Sequence, residues 1–283
     1  MNSCAGSLGP VSNLSHVTVY RDVDSGYNAA FPQVAQLSGG RLIVSFRQAP
    51  FPPTDGLSTS NVALHNHADI KSRGVIVRSV DSGLSWDLAT LRVLAEPAGG
   101  IEQVSVSAIT GEVLLSPYSE RRELHGGHPV KVRRSFDGGV VWDEPVMMHT
   151  GPLKGARTHA PMLELPDGTL LSPHCGLMSD RSRVNVHAVT VVRSEDRGCT
   201  WGDISVICKD LEAVDSGNST AFHQASLVLM PGGEIIAAMQ SGGKRLEGQV
   251  RPMMGFWISR SSDAGYTWSA PERLPIRISG WSR

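Results

Sequence analysis

Several stretches of this 283-residue chain carry side chains suited to chemistry on a polar ligand. The segment Gln48–Arg73 holds His65, His67 and Asp69 as a His-x-His-x-Asp array, with Asp55 upstream. A loop carboxylate such as Asp69 can act as a general acid or base, or simply stay solvated. The array offers three metal donors, but no fourth ligand follows at a fixed spacing, so no metal and no other cofactor is expected. Glu102 is a second carboxylate, able to serve as a base or nucleophile helper, or to pair with a neighbouring arginine. Arg157 and His159 lie in Gly-Ala-Arg-Thr-His-Ala-Pro. An arginine there can grip a carboxylate or sugar hydroxyl through two N–H groups, or close a salt bridge at a rim. Arg47, and the pair His223-Gln224, complete the set of candidate contacts to a substrate.

Two interleaved repeats must position these residues. Ser-x-Asp-x-Gly-x-x-Trp occurs four times, at Ser79–Trp86, Ser135–Trp142, Ser194–Trp201 and Ser261–Trp268, each copy preceded by an arginine. Start-to-start spacings between successive copies (Ser79, Ser135, Ser194, Ser261) are 56, 59 and 67 residues, the long period of a repeat architecture. Within the motif, Ser and Asp side chains can bond backbone amides of a tight turn, and Gly supplies a backbone angle that side chains resist. Trp then covers the turn, which predicts four tryptophans largely buried against their own repeats. Upstream of each copy, two apolar runs flank a glycine turn: Val34–Phe46, Val106–Pro117, Leu163–Pro173 and Leu227–Met239, each reading as a β-hairpin. From hairpin glycine (Gly40, Gly111, Gly168, Gly233) to motif glycine the distances are 43, 28, 30 and 32 residues. The excess in the first repeat falls within Gln48–Arg73.

The Ser-x-Asp-x-Gly-x-x-Trp motif resembles the Asp-box, or bacterial neuraminidase repeat, and from about Phe31 to Pro275 the chain resembles the sialidase superfamily. That resemblance implies an all-β fold, a six-bladed β-propeller with each Asp-box joining the third and fourth strands of a blade on the outer rim. The box aspartates Asp81, Asp137, Asp196 and Asp263 are then structural. Four blades can be counted, at about 28–95, 98–150, 156–212 and 218–275, after an N-terminal tail 1–15. Four blades could close a ring of their own, but the favoured expectation is an incomplete six-bladed propeller, with a strand Val17–Tyr20 of the kind that closes the ring in complete members.

The resemblance also implies an exo-glycosidase acting on a terminal, acidic sugar of a glycan or glycoconjugate. Aligned on the hairpin glycines, the inner-strand residues ten before are Ala30, Ile101, Thr158 and His223; those nine before are Phe31, Glu102, His159 and Gln224. Sialidases carry Arg-Ile-Pro on the first inner strand, its arginine gripping the substrate carboxylate. Pro32 matches, but Ala30 stands at the arginine position. A later inner strand carries Asn-Glu, where this chain has His223-Gln224, and Gln240 stands near the place of a further arginine. The insert bearing Asp69 sits where sialidases keep their acid/base aspartate. Asp69 and Glu102 are thus the candidate catalytic residues, and Arg47, Arg157, His159, His223 and Gln224 the candidate substrate contacts. The altered carboxylate clamp equally suits a non-catalytic propeller that binds a glycan or protein.

Composition narrows the classes further. A net charge of −1 argues against nucleic acid as the main partner. No apolar run is long enough to span a bilayer, and Met1–Ser15 lacks the pattern of a secretory signal, which leaves a cytoplasmic default. The four cysteines show no metal-like spacing and read as ordinary thiols.

Overall fold

The computed structural model describes residues 16–21, 26–50, 72–95, 100–119, 130–179, 185–210, 221–242 and 253–276. They form four antiparallel sheets in chain order, the blades of a β-propeller, with no α-helix among them. Blade 1 consists of β1 (Tyr27–Gln36), β2 (Leu42–Pro50), β3 (Arg73–Ser79) and β4 (Asp87–Ala95). Blade 2 consists of β5 (Gly100–Val106), β6 (Val113–Ser119), β7 (Val130–Ser135) and β8 (Val146–Met148). Blade 3 has five strands: β9 (Leu153–Arg157), β10 (Leu163–Glu164), β11 (Leu170–Ser179), β12 (Asn185–Ser194) and β13 (Gly202–Lys209). Blade 4 has β14 (Phe222–Leu229), β15 (Ile235–Gly242), β16 (Met253–Ser261) and β17 (Glu272–Arg273). In every blade the glycine hairpin joins the inner strands and the Asp-box joins the last two, as the repeats predicted.

Blade 3 departs from the plain hairpin. Its inner strand is broken between Thr158 and Met162, so that β9 and the two-residue β10 each pair separately with β11. Pro161 falls in that break and has no N–H to give a ladder. Thr158 Oγ1 instead donates to the Ala160 carbonyl (3.0 Å), and Met162 N–H is taken up by Ser105 Oγ of blade 2 (2.8 Å).

The core lies between blades rather than within them. Ile43, Ile76, Val104, Val113 and Leu115 join blade 1 to blade 2; Leu114, Val132, Leu170 and Val192 join blade 2 to blade 3; Leu171, Val189, Phe222, Ile235 and Met239 join blade 3 to blade 4. None of the four clusters of described residues joins blade 4 to blade 1. The other face of blade 1 (Val44, Phe46, Val75, Val77) is covered by Val19 and Tyr20. Val19 and Tyr20 pack there, and residues 17–20 have no strand geometry, which corrects the expected strand Val17–Tyr20.

Each box is knotted as its chemistry predicted. In all four, the serine hydroxyl donates to the aspartate (2.7–2.9 Å) and accepts from the glycine N–H (2.7–2.9 Å). Hydrogen bonds from the side chain and backbone of Ser85 and of Thr267, and after them from the box serines, hold Asp81 and Asp263 down at about 2, well below the usual carboxylate range. The tryptophans differ from expectation: Trp201 is 3% exposed, but Trp86, Trp142 and Trp268 are only half-buried. Three of the boxes also dock on the blade before them. A Cβ on Gly139 would meet Ile43 Cδ1 of blade 1 at 2.9 Å, one on Gly198 would meet Leu114 Cδ2 of blade 2 at 3.1 Å, and one on Gly265 would meet Leu171 Cδ1 of blade 3 at 3.2 Å. The arginine ahead of a box reaches the next blade in turn. Arg134 donates to the thiol of Cys199 (2.8 Å), while Arg193 bonds the Ala264 carbonyl (3.0 Å) and lies 3.8 Å over the Tyr266 ring. Arg260, in blade 4, pairs with its own hairpin's Glu234 instead (2.8 Å).

Candidate functional site

Strand pairing sorts the connections of each blade to two ends. Glycine hairpins and Asp-boxes share one end; the other holds the starts of the inner strands, where Tyr27 pairs with Pro50, Gln48 with Arg73 and Phe222 with Ser241. Every candidate site residue among those described belongs to this second end. One register station recurs in all four blades, seven residues beyond the hairpin glycine. Its pairs are Ala30 with Arg47, Ile101 with Tyr118, Arg157 with Cys175, and His223 with Gln240.

This register corrects the alignment by hairpin glycines in blade 3, which put Thr158 at the station. Arg157 occupies it because the strand break shifts the count by one. Thr158 is 1% exposed and serves the break itself, with His159 half-buried beside it. Gly176, next to Cys175, lets β9 approach this closely: a Cβ there would lie 2.9 Å from the Lys154 carbonyl and 3.4 Å from Ala156 Cα. Its absence of a side chain sets where Arg157 sits.

In blade 1 the station arginine, Arg47, is 2% exposed and lies 5.1 Å from the centroid of Phe31. Phe31 has a left-handed backbone (φ +58°), and the ladder slips between Ala30 and Gln33. Blade 4 repeats this bulge: Gln224 is left-handed (φ +54°), and pairing slips between His223 and Ser226. Blade 2 runs in unbroken register through Glu102, which pairs with Pro117. Left-handed backbone at a residue with a Cβ costs about 1–3 kcal/mol and gathers at functional positions. Here it re-aims the same station in two blades.

Sequence reasoning missed a chain of contacts beside Arg47. Arg73 stacks 4.3 Å over Tyr27 and donates from Nε to Gln48 Oε1 (2.8 Å), and Gln48 Nε2 bonds the Tyr20 hydroxyl (2.6 Å). Among the described residues, Arg47, Arg73 and Arg157 each bring a guanidinium group to this end. The only hint in sequence was the arginine closing the insert, with no spacing to mark it. Asp69, His65 and His67 lie outside the described residues. His174, buried with its Nε2 against Ser172 Oγ (2.9 Å), is depressed to about 3 by burial and stays neutral.

No family model matches the sequence, and no curated protein matches it. Solved structures do. A protein of unknown function from Dyadobacter fermentans is 26% identical, with a TM-score of 0.67 over 92% of this chain and 72% of its own. The NanB sialidase of Streptococcus pneumoniae superposes with a TM-score of 0.61 at 12% identity, covering 94% of this chain and 55% of that one. The GH93 α-L-arabinofuranosidase of Fusarium graminearum, solved with arabinobiose, gives 0.58 at 15% identity over 89% of this chain and 68% of that one. The fold is the sialidase-type β-propeller. At the shared register station this chain has Arg157 and His223 in adjacent blades, with Gln240 paired to the histidine.

Proposed function

We propose that this propeller is a glycoside hydrolase acting on a terminal acidic sugar of a glycan, bound at the end of the blades that carries Arg157 and His223. The observation that carries the reading is the register of Arg157. Ala30 stands where the sialidase pattern has its carboxylate-gripping arginine, and Arg157 stands at the same station two blades on. A guanidinium there can take a sugar carboxylate bidentately. Support also comes from the two named neighbours of known activity, a sialidase and an arabinofuranosidase, both acting on sugars.

In this reading Asp69 is the acid/base and Glu102 the base or nucleophile helper. Glycoside hydrolysis needs two such groups flanking the scissile bond. His159, His223 and Gln224 take sugar hydroxyls, and Arg47 stiffens the bulge through Phe31 rather than meeting ligand directly. The test is a panel of acidic and neutral aryl glycosides with wild type, Asp69→Asn and Glu102→Gln. Turnover should fall at least about 100-fold in either variant, the size expected for a general acid or base. A specific observation favours a second reading, a propeller that binds glycan without cleaving it: Ala30 and His223-Gln224 replace the arginine and the Asn-Glu of the sialidase pattern. Binding of an acidic sugar with no turnover in wild type would select it.

A further inference from the structure

The junction of blades 2 and 3 changes character along its length. Near the hairpin end it is apolar, where Leu114 and Val132 meet Leu170, Val192 and Trp201. Side chains alternate across a strand, so residues two further along each strand share that face. Toward the other end these are Ser116 beyond Leu114, Gln103 beyond Ser105, Ser172 and His174 beyond Leu170, and Thr190 beyond Val192. Ser105 marks this as the face that meets blade 3, since its hydroxyl takes the Met162 N–H (2.8 Å). All five are no more than 2% exposed, so a whole buried layer between the blades is polar. The junction of blades 3 and 4 is apolar by contrast, built from Leu171, Cys175, Val189, Phe222 and Met239.

Four atoms of the polar layer have no hydrogen-bond partner among the described residues: Gln103 Oε1, Ser116 Oγ, His174 Nδ1 and Thr190 Oγ1. Two come from each blade. Gln103 stands directly opposite Ser116, and His174 opposite Thr190, which sets each pair of Cβ atoms about 4.5–5.5 Å apart. Neither pair bonds directly. An orphaned buried polar atom is costly, and four in one layer call for a ligand. Gln103 Oε1 can only accept, a hydroxyl can donate or accept, and a neutral imidazole nitrogen does either according to tautomer. Burial keeps His174 neutral, with its Nε2 on Ser172 Oγ (2.9 Å). Water both donates and accepts, so it suits all four atoms. A metal ion would bring charge among groups that are all neutral, which burial disfavours. Room comes from small side chains: Ser105, Ser116, Ser172 and Ala188 line this layer, where leucines and valines fill the one beside it.

We propose that the polar layer between blades 2 and 3 is a binding site for ordered internal water, which bridges Gln103 and Ser116 of blade 2 to His174 and Thr190 of blade 3. Buried waters of this kind make about three bonds to otherwise unsatisfied groups and are costly to remove. Gln103 follows Glu102 in β5, and His174 precedes Cys175, the partner of Arg157, in β11. The water therefore ties together strands that hold the candidate site, whatever that site binds.

The test is oxygen-17 magnetic relaxation dispersion of water with the folded full chain, a signal that exchange of hydroxyl protons does not mimic. Wild type should show long-lived internal water, and the Ser116→Ala/Thr190→Val double variant should lose part of that amplitude. An unchanged amplitude in the folded double variant overturns the proposal. Stability gives a second measurement, decided by sign. If water satisfies Thr190 Oγ1, Thr190→Val breaks a hydrogen bond and lowers the urea midpoint; if the hydroxyl is orphaned, its removal raises the midpoint. Ser116→Ala should act in the same direction and serves alone if Thr190→Val does not fold. A raised midpoint in either variant refutes bound water. Melts of wild type in sodium chloride and in choline chloride at equal ionic strength should coincide; a higher midpoint in sodium assigns the layer to a cation and overturns the proposal. A high-resolution crystal structure of wild type should show water within hydrogen-bond distance of these atoms on both blades, and a dry layer there overturns it as well.

Discussion

Gly139 and Gly233 share a backbone angle, φ +85°, and differ in what surrounds them. A Cβ at Gly233, in the blade 4 hairpin, meets nothing within 4 Å. A Cβ at Gly139, in the blade 2 box, meets Ile43 Cδ1 of blade 1 at 2.9 Å and Trp142 Cζ2 at 3.3 Å. Alanine at either site incurs the left-handed penalty, about 1–2 kcal/mol. At Gly139 the crowding of a packed interface adds about 1–3 kcal/mol, because Ile43 is fully buried and cannot swing away. Gly233→Ala should therefore cost about 1–2 kcal/mol and Gly139→Ala about 2–5 kcal/mol, read as shifts in the urea midpoint at constant slope. Ile43→Val removes the clashing Cδ1. Alone it should cost about 0.5–1.5 kcal/mol, yet combined with Gly139→Ala it should recover part of the loss, giving a coupling of about 1 kcal/mol. Equal costs at the two glycines, or strict additivity with Ile43→Val, would refute the claim that boxes fasten each blade to the one before it.

Two further outcomes follow from buried or crowded groups. His174 is held to about 3 by burial, against about 6.5 in the unfolded chain, so the unfolded state takes up the proton first. The stability it protects is intact above pH 6.5 and declines at about 1.4 kcal/mol per pH unit as pH falls toward 3; His174→Gln should flatten that part of a pH series of urea melts. Gly176→Ala would bring a methyl to 2.9 Å from the Lys154 carbonyl, so it should displace β9 and weaken sugar binding through Arg157 more than Gly233→Ala does. Equal affinities in the two alanine variants would separate Arg157 from the backbone that is argued to place it.

Much of the fold was legible because the boxes and hairpins encode local geometry. The serine, aspartate and glycine of each box make the same bonds wherever they occur, and the glycine hairpins fall at matching turns. The docking of a box on the preceding blade was not legible, because it depends on partners such as Ile43 and Leu171, nearly a hundred residues away. The site was less legible. Counting from Gly168 assumed an unbroken strand, and the break at Thr158–Pro161 moved Arg157 into the station that Thr158 was expected to fill.

The central claim is that the end of the blades bearing Arg157 binds an acidic sugar, and titration calorimetry with wild type, Arg157→Ala and Asp263→Asn tests it most directly. Asp263 lies in a box at the opposite end of blade 4 and serves as the control. The account predicts that an acidic monosaccharide or its aryl glycoside binds wild type and Asp263→Asn alike, and that Arg157→Ala weakens binding at least about tenfold, as expected for a charged hydrogen bond to ligand. Binding indifferent to Arg157→Ala, in a variant that melts like wild type, would contradict it.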